Sequence, residues 1–170
     1  MSRTSHASTL FFVLLIIATA CSELNLSKKE AAFTQLIQVE EMNTKIKFWK
    51  LKRTETYKIG DSVHLTLENL SEYKIKFPGD FGVRIFRYDE DNDTWIEIKN
   101  GMIYIPPGNT TQVSPKGPDL PGVIGIGLWP ILQNEGQPID IRVVVVGSVE
   151  RDNVLTDEQV GAYIDLTLLP

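Results

Sequence analysis

The sequence predicts an all-β protein, an antiparallel β-sandwich with a short helix ahead of it. Two observations support this prediction. Apolar and polar residues alternate with a period of two through most of the chain after residue 44, as in strands with one buried face. Clusters of Gly, Pro, Asn and Asp separate these segments and mark turns. Hydrophobic residues make up 42% of the 170, enough for one ordinary domain.

The first twenty residues have the pattern of a signal peptide. An apolar run over residues 10–17 follows Arg3 and precedes Ala18-Thr19-Ala20, a small-residue cleavage site. The run is shorter than the roughly 20 apolar residues that span a bilayer. Residues 1–20 are therefore predicted to be removed, and the protein to be secreted.

Cys21 is the only cysteine in the chain and directly follows this cleavage site. Ala18-Thr19-Ala20-Cys21 resembles the bacterial lipobox, although Ala18 stands where that pattern prefers Leu. The resemblance implies that Cys21 is lipidated, becomes the mature amino terminus and anchors an extracytoplasmic lipoprotein to a membrane. Ordinary cleavage before an incidental cysteine is the alternative. Since no second thiol exists, the fold must depend on its apolar core.

Four Asn-x-Ser/Thr sequences, which begin at Asn25, Asn69, Asn92 and Asn109, suit a different localisation, that of a eukaryotic secreted glycoprotein. Two of them lie at predicted turns, where Asn and Ser are favoured by local hydrogen bonding. A secreted domain of this size also more often contains disulfides. The bacterial lipoprotein is therefore the preferred prediction.

Residues 21–43 are predicted to form a tether and a helix. Residues 22–26 are short and polar, and Ser27-Lys28-Lys29-Glu30 has the spacing of a helix capping box. Phe33, Leu36 and Ile37 follow at helical spacing, which predicts a helix from about Lys28 to Met42. An extended lead-in strand is the alternative for the same residues.

Residues 44–170 are predicted to form the sandwich. The alternating apolar residues of its first strands are Ile46, Phe48; Val63, Leu65, Leu67; Tyr73, Ile75, Phe77; and Val83, Ile85, and a further strand is predicted at Trp95-Ile96-Glu97-Ile98. A change of phase at Trp49 indicates a bulge. A Pro- and Gly-rich segment over residues 106–122 predicts a crossing between sheets.

Three further strands are predicted after the crossing, around Ile124–Leu128, Ile139–Val146 and Ala162–Leu168. Leu65 and Ile141 are expected in the core on facing sheets. Because Val144 and Val146 make one strand apolar on both faces, that strand is expected to be covered on both sides. Thr156-Asp157-Glu158-Gln159 predicts a single helical turn.

Several of these segments together resemble a known family. They are Tyr57-Lys58-Ile59-Gly60-Asp61-Ser62-Val63, Leu65-Thr66-Leu67-Glu68-Asn69, Ile75-Lys76-Phe77 and Trp95-Ile96-Glu97-Ile98. Over residues 55–100 the pattern is similar to bacterial immunoglobulin-like domains of surface lipoproteins. The resemblance implies an immunoglobulin-like β-sandwich and no activity, since such sandwiches have many functions. A more distant likeness is to the β-sandwich proteinase inhibitors of Bacillus.

Composition excludes several kinds of chemistry. A net charge of −5 argues against a nucleic-acid binder, whose phosphate contacts need clustered Lys and Arg. His64 is the one histidine after residue 20 and is expected on the polar face of a strand. Neither Cys–His catalysis nor a His–Cys zinc site can be assembled from these residues. We predict a protein that is not an enzyme and needs no cofactor.

Three candidate binding sites remain. Asp89, Asp91 and Asp93 have the alternate-acid spacing of calcium loops, but Thr94 and Asn100 replace the Gly and Glu of an EF-hand, and a solvated hairpin tip is the preferred interpretation. Gly125 and Gly127 leave bare backbone on one face of a strand that leads to Trp129. This face would be covered either by the chain's own Pro-rich crossing or by a partner. Trp49, Trp95 and Trp129 would suit a carbohydrate platform if exposed.

The sequence therefore predicts a lipid-anchored, non-enzymatic binding or structural module of the bacterial cell envelope that contacts a protein or an envelope component. A carbohydrate-binding module and a proteinase-inhibitor-like sandwich are the alternatives.

Overall fold

The structure is a computed structural model that describes residues 28–39, 41–51, 56–58, 60–79, 81–98, 102–104, 112–113, 122–127 and 136–170. Apart from one helix, α1 (residues 28–36), the regular elements of these ranges are strands. They are β1 (Glu41–Met42), β2 (Ile46–Lys50), β3 (Tyr57–Lys58), β4 (Ser62–Asn69), β5 (Lys74–Lys76), β6 (Arg84–Asp89), β7 (Thr94–Glu97), β8 (Met102–Tyr104), β9 (Gln112–Val113), β10 (Gly122–Gly127), β11 (Ile139–Arg151) and β12 (Val154–Leu169). The all-β prediction is confirmed.

The strands form two sheets. Sheet A contains eight strands in the order β1-β12-β11-β5-β9, with β6 also paired to β11, β7 to β6, and β3 to β12. Sheet B contains four, in the order β2-β4-β10-β8. Because β9 belongs to sheet A while β8 and β10 belong to sheet B, the chain crosses between the sheets where the Pro- and Gly-rich segment predicts it.

Sheet A is mixed, so the prediction of a purely antiparallel fold was wrong. β1 and β3 both run parallel to β12. Neither strand is joined to β12 by a turn, and a direct hairpin is what forces an antiparallel direction. Their direction is set instead by where the chain arrives after α1 and after β2.

The inward faces of the two sheets share one hydrophobic core. Its members from sheet B include Phe48, Val63, Leu65 and Leu67, and those from sheet A include Ile75, Ile85, Ile141, Val143, Val145 and Leu166. Leu65 and Ile141 are both fully buried on facing sheets, as predicted. His64 points away from this core and is exposed, which confirms the phase of β4.

A second, smaller cluster lies on the outer face of sheet A, beneath α1. Phe33 of the helix and Ile37, the residue that follows it, pack there against Phe86, Trp95 and Val144. The helix therefore provides the second cover that the apolar outer face of β11 predicted. Burial on both faces makes β11 the central strand of the molecule.

Three local predictions were wrong. The helix ends at residue 36 rather than at Met42, because Glu41–Met42 pairs with β12 instead. Residues 156–159 belong to β12 and form no helical turn: Leu155 pairs with Glu150 and Gln159 with Ser148, and residues 156–158 lie between these pairs, where the register shifts. β2 pairs with β4 without interruption, so no bulge occurs at Trp49; the register shift lies between Ser148 and Glu150 of β11.

Candidate functional site

Arg142 is the most deeply buried charged residue that the structure describes, and it lies on the outer face of sheet A. Its neighbours Ile141 and Val143 point into the core, so the alternation of β11 directs Arg142 to the opposite face. It has 0% relative exposure because α1 lies over it. A buried charge is stable only when it is paired.

Two carboxylates hold the guanidinium in two forks. Nε and Nη2 donate to Asp165 over 2.7 Å each, and Asp165 stands directly opposite Arg142 in the β11–β12 ladder. Nη1 and Nη2 donate to Glu30 of α1 over 3.2 and 2.6 Å. The Tyr163 hydroxyl also donates to Glu30, over 3.0 Å. Bidentate pairs of this kind are both strong and geometrically specific.

Three aromatic rings surround the same guanidinium. Its central carbon lies 3.8 Å from the ring centroid of Tyr163, 4.5 Å from that of Phe33 and 4.7 Å from that of Trp95. Electron-rich ring faces attract a cation at these distances. We call this set the Arg142 clamp; its residues are Glu30, Phe33, Trp95, Arg142, Tyr163 and Asp165.

The electrostatics of the clamp keep Arg142 charged. Burial acts to lower its pKa, but the hydrogen bonds to Asp165 and Glu30 outweigh this effect, so the pKa of Arg142 is raised. Burial also raises the pKa of the Tyr163 hydroxyl. The charged groups of the clamp bond to one another and thereby attach α1 to sheet A.

Further contacts fix the beginning of α1. Lys28 donates to Asp93 over 3.2 Å and Lys29 to Asp140 over 2.8 Å. The Lys29 ammonium also lies 4.5 Å from the ring centroid of Tyr88. The Trp95 indole donates to the backbone carbonyl of Lys29 over 2.9 Å. The helix therefore begins beside the β6–β7 turn and the first residues of β11.

The predicted glycine site lies on sheet B, away from the clamp. Gly125 is paired with His64 on one side and Tyr104 on the other, and Gly127 with Ser62 and Met102, so β10 is an inner strand. His64 and Ser62 are exposed, which places the two glycines on the outward face of sheet B. Trp129 and Cys21 lie outside the described residues, as does most of the Pro-rich crossing.

The predicted acidic site lies in the β6–β7 turn. Asp89 accepts hydrogen bonds from the Asp91 backbone and from Asn92, while Asp93 is bound to Lys28 and to the Tyr88 hydroxyl. Within the ranges that the structure describes, no group of three His, Cys, Asp or Glu residues is arranged to hold a metal ion. The Asp89 carboxylate thus has a local role in the turn, and the Asp93 carboxylate has one at the start of α1.

Two other sequence features have structural roles. Trp95 is 5% exposed beneath α1, so its ring is not available for a carbohydrate platform, and Trp49 is half-buried under Lys47. Asn69 is buried, and its amide nitrogen donates to the carbonyls of Tyr73 and Val113. A glycan at that nitrogen would replace one of its two hydrogens and so remove one of these hydrogen bonds.

Open grooves of the described surface include the following two. One, of about 340 Å³, lies beside the β6–β7 turn and is lined by residues 87–91 and 137–140. The other, of about 490 Å³, lies between the end of α1 and β12. No helix among the described residues is both long and apolar enough to cross a membrane.

Comparison with known proteins identifies no family. No protein-family model matches the sequence, and no curated protein matches it. A ceramidase complexed with C2 has a TM-score of 0.43 and 11% identity, and neutral ceramidase from Pseudomonas aeruginosa has 0.42 and 12%. The matches cover 72% and 71% of this chain but 19% of each ceramidase. Such limited likeness carries no conclusion about activity.

Sequence reasoning missed the clamp. Glu30 fits a capping box, Arg142 fits the polar face of a strand, and Asp165 fits the polar face of another. The available signal was Arg142 itself, a lone cation at the centre of the apolar run Ile139–Val146. A charge in a strand predicted to be covered on both faces requires a buried partner.

Proposed function

We propose that this chain is a lipid-anchored, non-enzymatic module of the bacterial cell envelope, built on an immunoglobulin-like sandwich, that contacts a protein or another envelope component. The observation that carries the proposal is the position of Cys21. It follows Ala18-Thr19-Ala20 directly, and it precedes by a few residues a helix held on the domain by a buried arginine. A lipid at Cys21 would therefore be coupled to the folded domain.

The chemistry of the described residues supports a binding or structural role. The buried guanidinium of Arg142 bonds to the two carboxylates of the clamp. His64 is exposed on a strand of sheet B, far from the clamp on sheet A. General acid–base catalysis needs a titratable group beside a position where substrate can sit, and neither the clamp residues nor His64 lines the two grooves described above.

Membrane fractionation tests the proposal. Expressed in a bacterium that processes lipoproteins, the wild-type chain is expected in the membrane fraction. Cys21→Ser is expected to accumulate as the unprocessed precursor or to be released. Glu23→Gln, a change two residues away, serves as the matched control and should behave as wild type. Identical fractionation of the wild type and Cys21→Ser would refute the anchor.

A carbohydrate-binding module is the second candidate, favoured by the 340 Å³ groove. Arg87, Tyr88 and Gln137 line it together with Asp89 and Asp140. Planar polar side chains beside an aromatic ring suit the hydroxyls and faces of sugars. Glycan binding by the wild type that Arg87→Ala abolishes would favour this candidate, and the absence of glycan binding would exclude it.

A further inference from the structure

The positions of α1 and of the long β11–β12 hairpin define two ends of the molecule. The anchor pole contains Lys28, the β6–β7 turn (Asp89–Asp93) and Asp140 near the start of β11. The hairpin pole is the turn at Asp152 and Asn153. Along β11 the two poles are separated by about 12 residues, on the order of 40 Å at the rise of a β-strand.

The length of the chain between Cys21 and α1 limits where a lipid can lie. Seven residue steps lead from Cys21 to Lys28. Fully extended, they span roughly 25 Å. While α1 is docked, a lipid on Cys21 can therefore reach the surroundings of the anchor pole but not the hairpin pole.

The Arg142 clamp keeps α1 on sheet A and so limits the reach of a lipid on Cys21. If α1 detached from sheet A, the free chain would extend from Cys21 to β1, about 20 residues and on the order of 70 Å. A tether of that length would let either pole face the bilayer. The buried forks to Glu30 and the packing of Phe33 oppose such release.

We propose that the Arg142 clamp sets the orientation of this domain on a membrane, with the anchor pole toward the lipid headgroups and the β11–β12 hairpin directed outward. The inference rests on the proposed anchoring at Cys21. Glu90 and Asp91 are exposed at the anchor pole, so an anionic bilayer repels this pole, and the short tether rather than adsorption holds it toward the headgroups.

The outward pole offers apolar contact surface, with the most exposed large apolar side chain among the described residues. Val154 is 64% exposed and Leu155 is 55% exposed, directly after the hairpin turn. Tyr73, which is also exposed, lies nearby under Arg151. The orientation would hold these side chains away from the lipid, available to an envelope partner.

Energy transfer from the protein to labelled lipids tests the orientation. The chain from Cys21 onward is coupled through its one thiol to a maleimide phospholipid and inserted in phosphatidylcholine vesicles with rhodamine-labelled headgroups. A fluorophore is attached through azidophenylalanine in place of either Asp91 or Val154. Strong transfer at position 91 and near-background transfer at position 154 are expected. Equal transfer at both positions, or the reverse order, would overturn the proposal.

A release variant tests the role of the clamp. In Glu30→Ala combined with Phe33→Ala, the efficiencies of energy transfer at positions 91 and 154 should become similar. In the control variant Gln35→Ala, on the exposed face of α1, the difference between the two efficiencies should remain. Convergence is interpreted only if circular dichroism shows the β-fold retained; Glu30→Gln replaces the double variant if it does not. A folded release variant with an unchanged difference would contradict the role of the clamp. Because the lipid is attached chemically, the result is independent of whether cells acylate Cys21.

Discussion

Arg142 shows how a sheet can bury a cation on its outer face. The cost of removing the guanidinium from water is offset by four charge-assisted hydrogen bonds to Glu30 and Asp165. The two carboxylates differ from Arg142 because their outer parts stay in contact with solvent, at 38% and 51% side-chain exposure. Loss of the arginine would therefore leave anions that water can still reach.

Replacement of Arg142 by Ala should lower the free energy of unfolding by about 3 kcal/mol, near the lower end of the range for breaking a buried ion pair. The partial exposure of Glu30 and Asp165 is the reason for the lower end. Chemical denaturation measures the change. Lys28→Ala, which removes the exposed pair with Asp93, is the matched control and should cost less than about 1 kcal/mol. Equal losses in the two variants would mean that the clamp contributes no more than a surface ion pair.

Asp93 should titrate below its ordinary pKa of 3.8, because Lys28 and Tyr88 hydrogen-bond its carboxylate. A lowered pKa in the folded state means that the interaction stabilises the fold above the unfolded pKa. The stabilisation is lost as the pH falls through the lowered value. Carboxyl NMR titration of Lys28→Ala should show the pKa of Asp93 moved up toward 3.8. An unchanged titration curve would show that Lys28 does not hold this carboxylate.

At the scale of elements, the local sequence pattern predicts where strands form but not which strands pair with one another. The alternation at Val63, Leu65 and Leu67 predicts the buried face of β4 because a period of two is imposed by the strand itself. The parallel pairing of β1 with β12 joins residues more than 100 positions apart, and nothing local encodes it. Residues 156–159 fit a capping box equally well, but pairing with β11 prevails over that weak local preference.

Glycine provides a second example at this scale. The sequence pattern points to the bare backbone at Gly125 and Gly127, yet one of the close approaches that the structure describes is at Gly147 in β11. A Cβ there would lie 2.8 Å from Ile75 and 2.9 Å from Phe77, both core residues. The local sequence does not indicate this contact, because the contact depends on the pairing of β5 with β11.

Gly147→Ala is therefore expected to destabilise the fold by about 1–3 kcal/mol through overpacking of the core. Gly79→Ala is the matched control, since a Cβ at Gly79 meets nothing within 4 Å, and its effect should stay within about 0.5 kcal/mol. Thermal or urea denaturation of both variants compares them. A Gly147→Ala protein as stable as Gly79→Ala would show that Ile75 and Phe77 have room to move.

At the scale of the whole molecule, β11 organises the fold. One face of it contributes Ile141, Val143 and Val145 to the core between the sheets, and the other carries Arg142 and Val144 beneath α1. The sequence predicts that β11 is covered on both faces because Val144 and Val146 follow Arg142. It does not identify the cover, since the apolar stripe of α1 is short and its key contact is ionic.

Through this arrangement, α1, the helix that follows the predicted lipid site, is part of the folded domain. α1 is fixed to sheet A by the Arg142 clamp and begins seven residues after Cys21. The clamp thereby restricts the movement of the domain relative to a lipid at Cys21. The central claim is therefore that Cys21 carries the lipid.

Intact-mass spectrometry of the protein purified from bacterial membranes tests this claim most directly. We expect a chain that begins at Cys21 and carries the added mass of acyl groups. This added mass should be absent from Cys21→Ser. A mature chain that begins at Cys21, or elsewhere, with no added mass would contradict it.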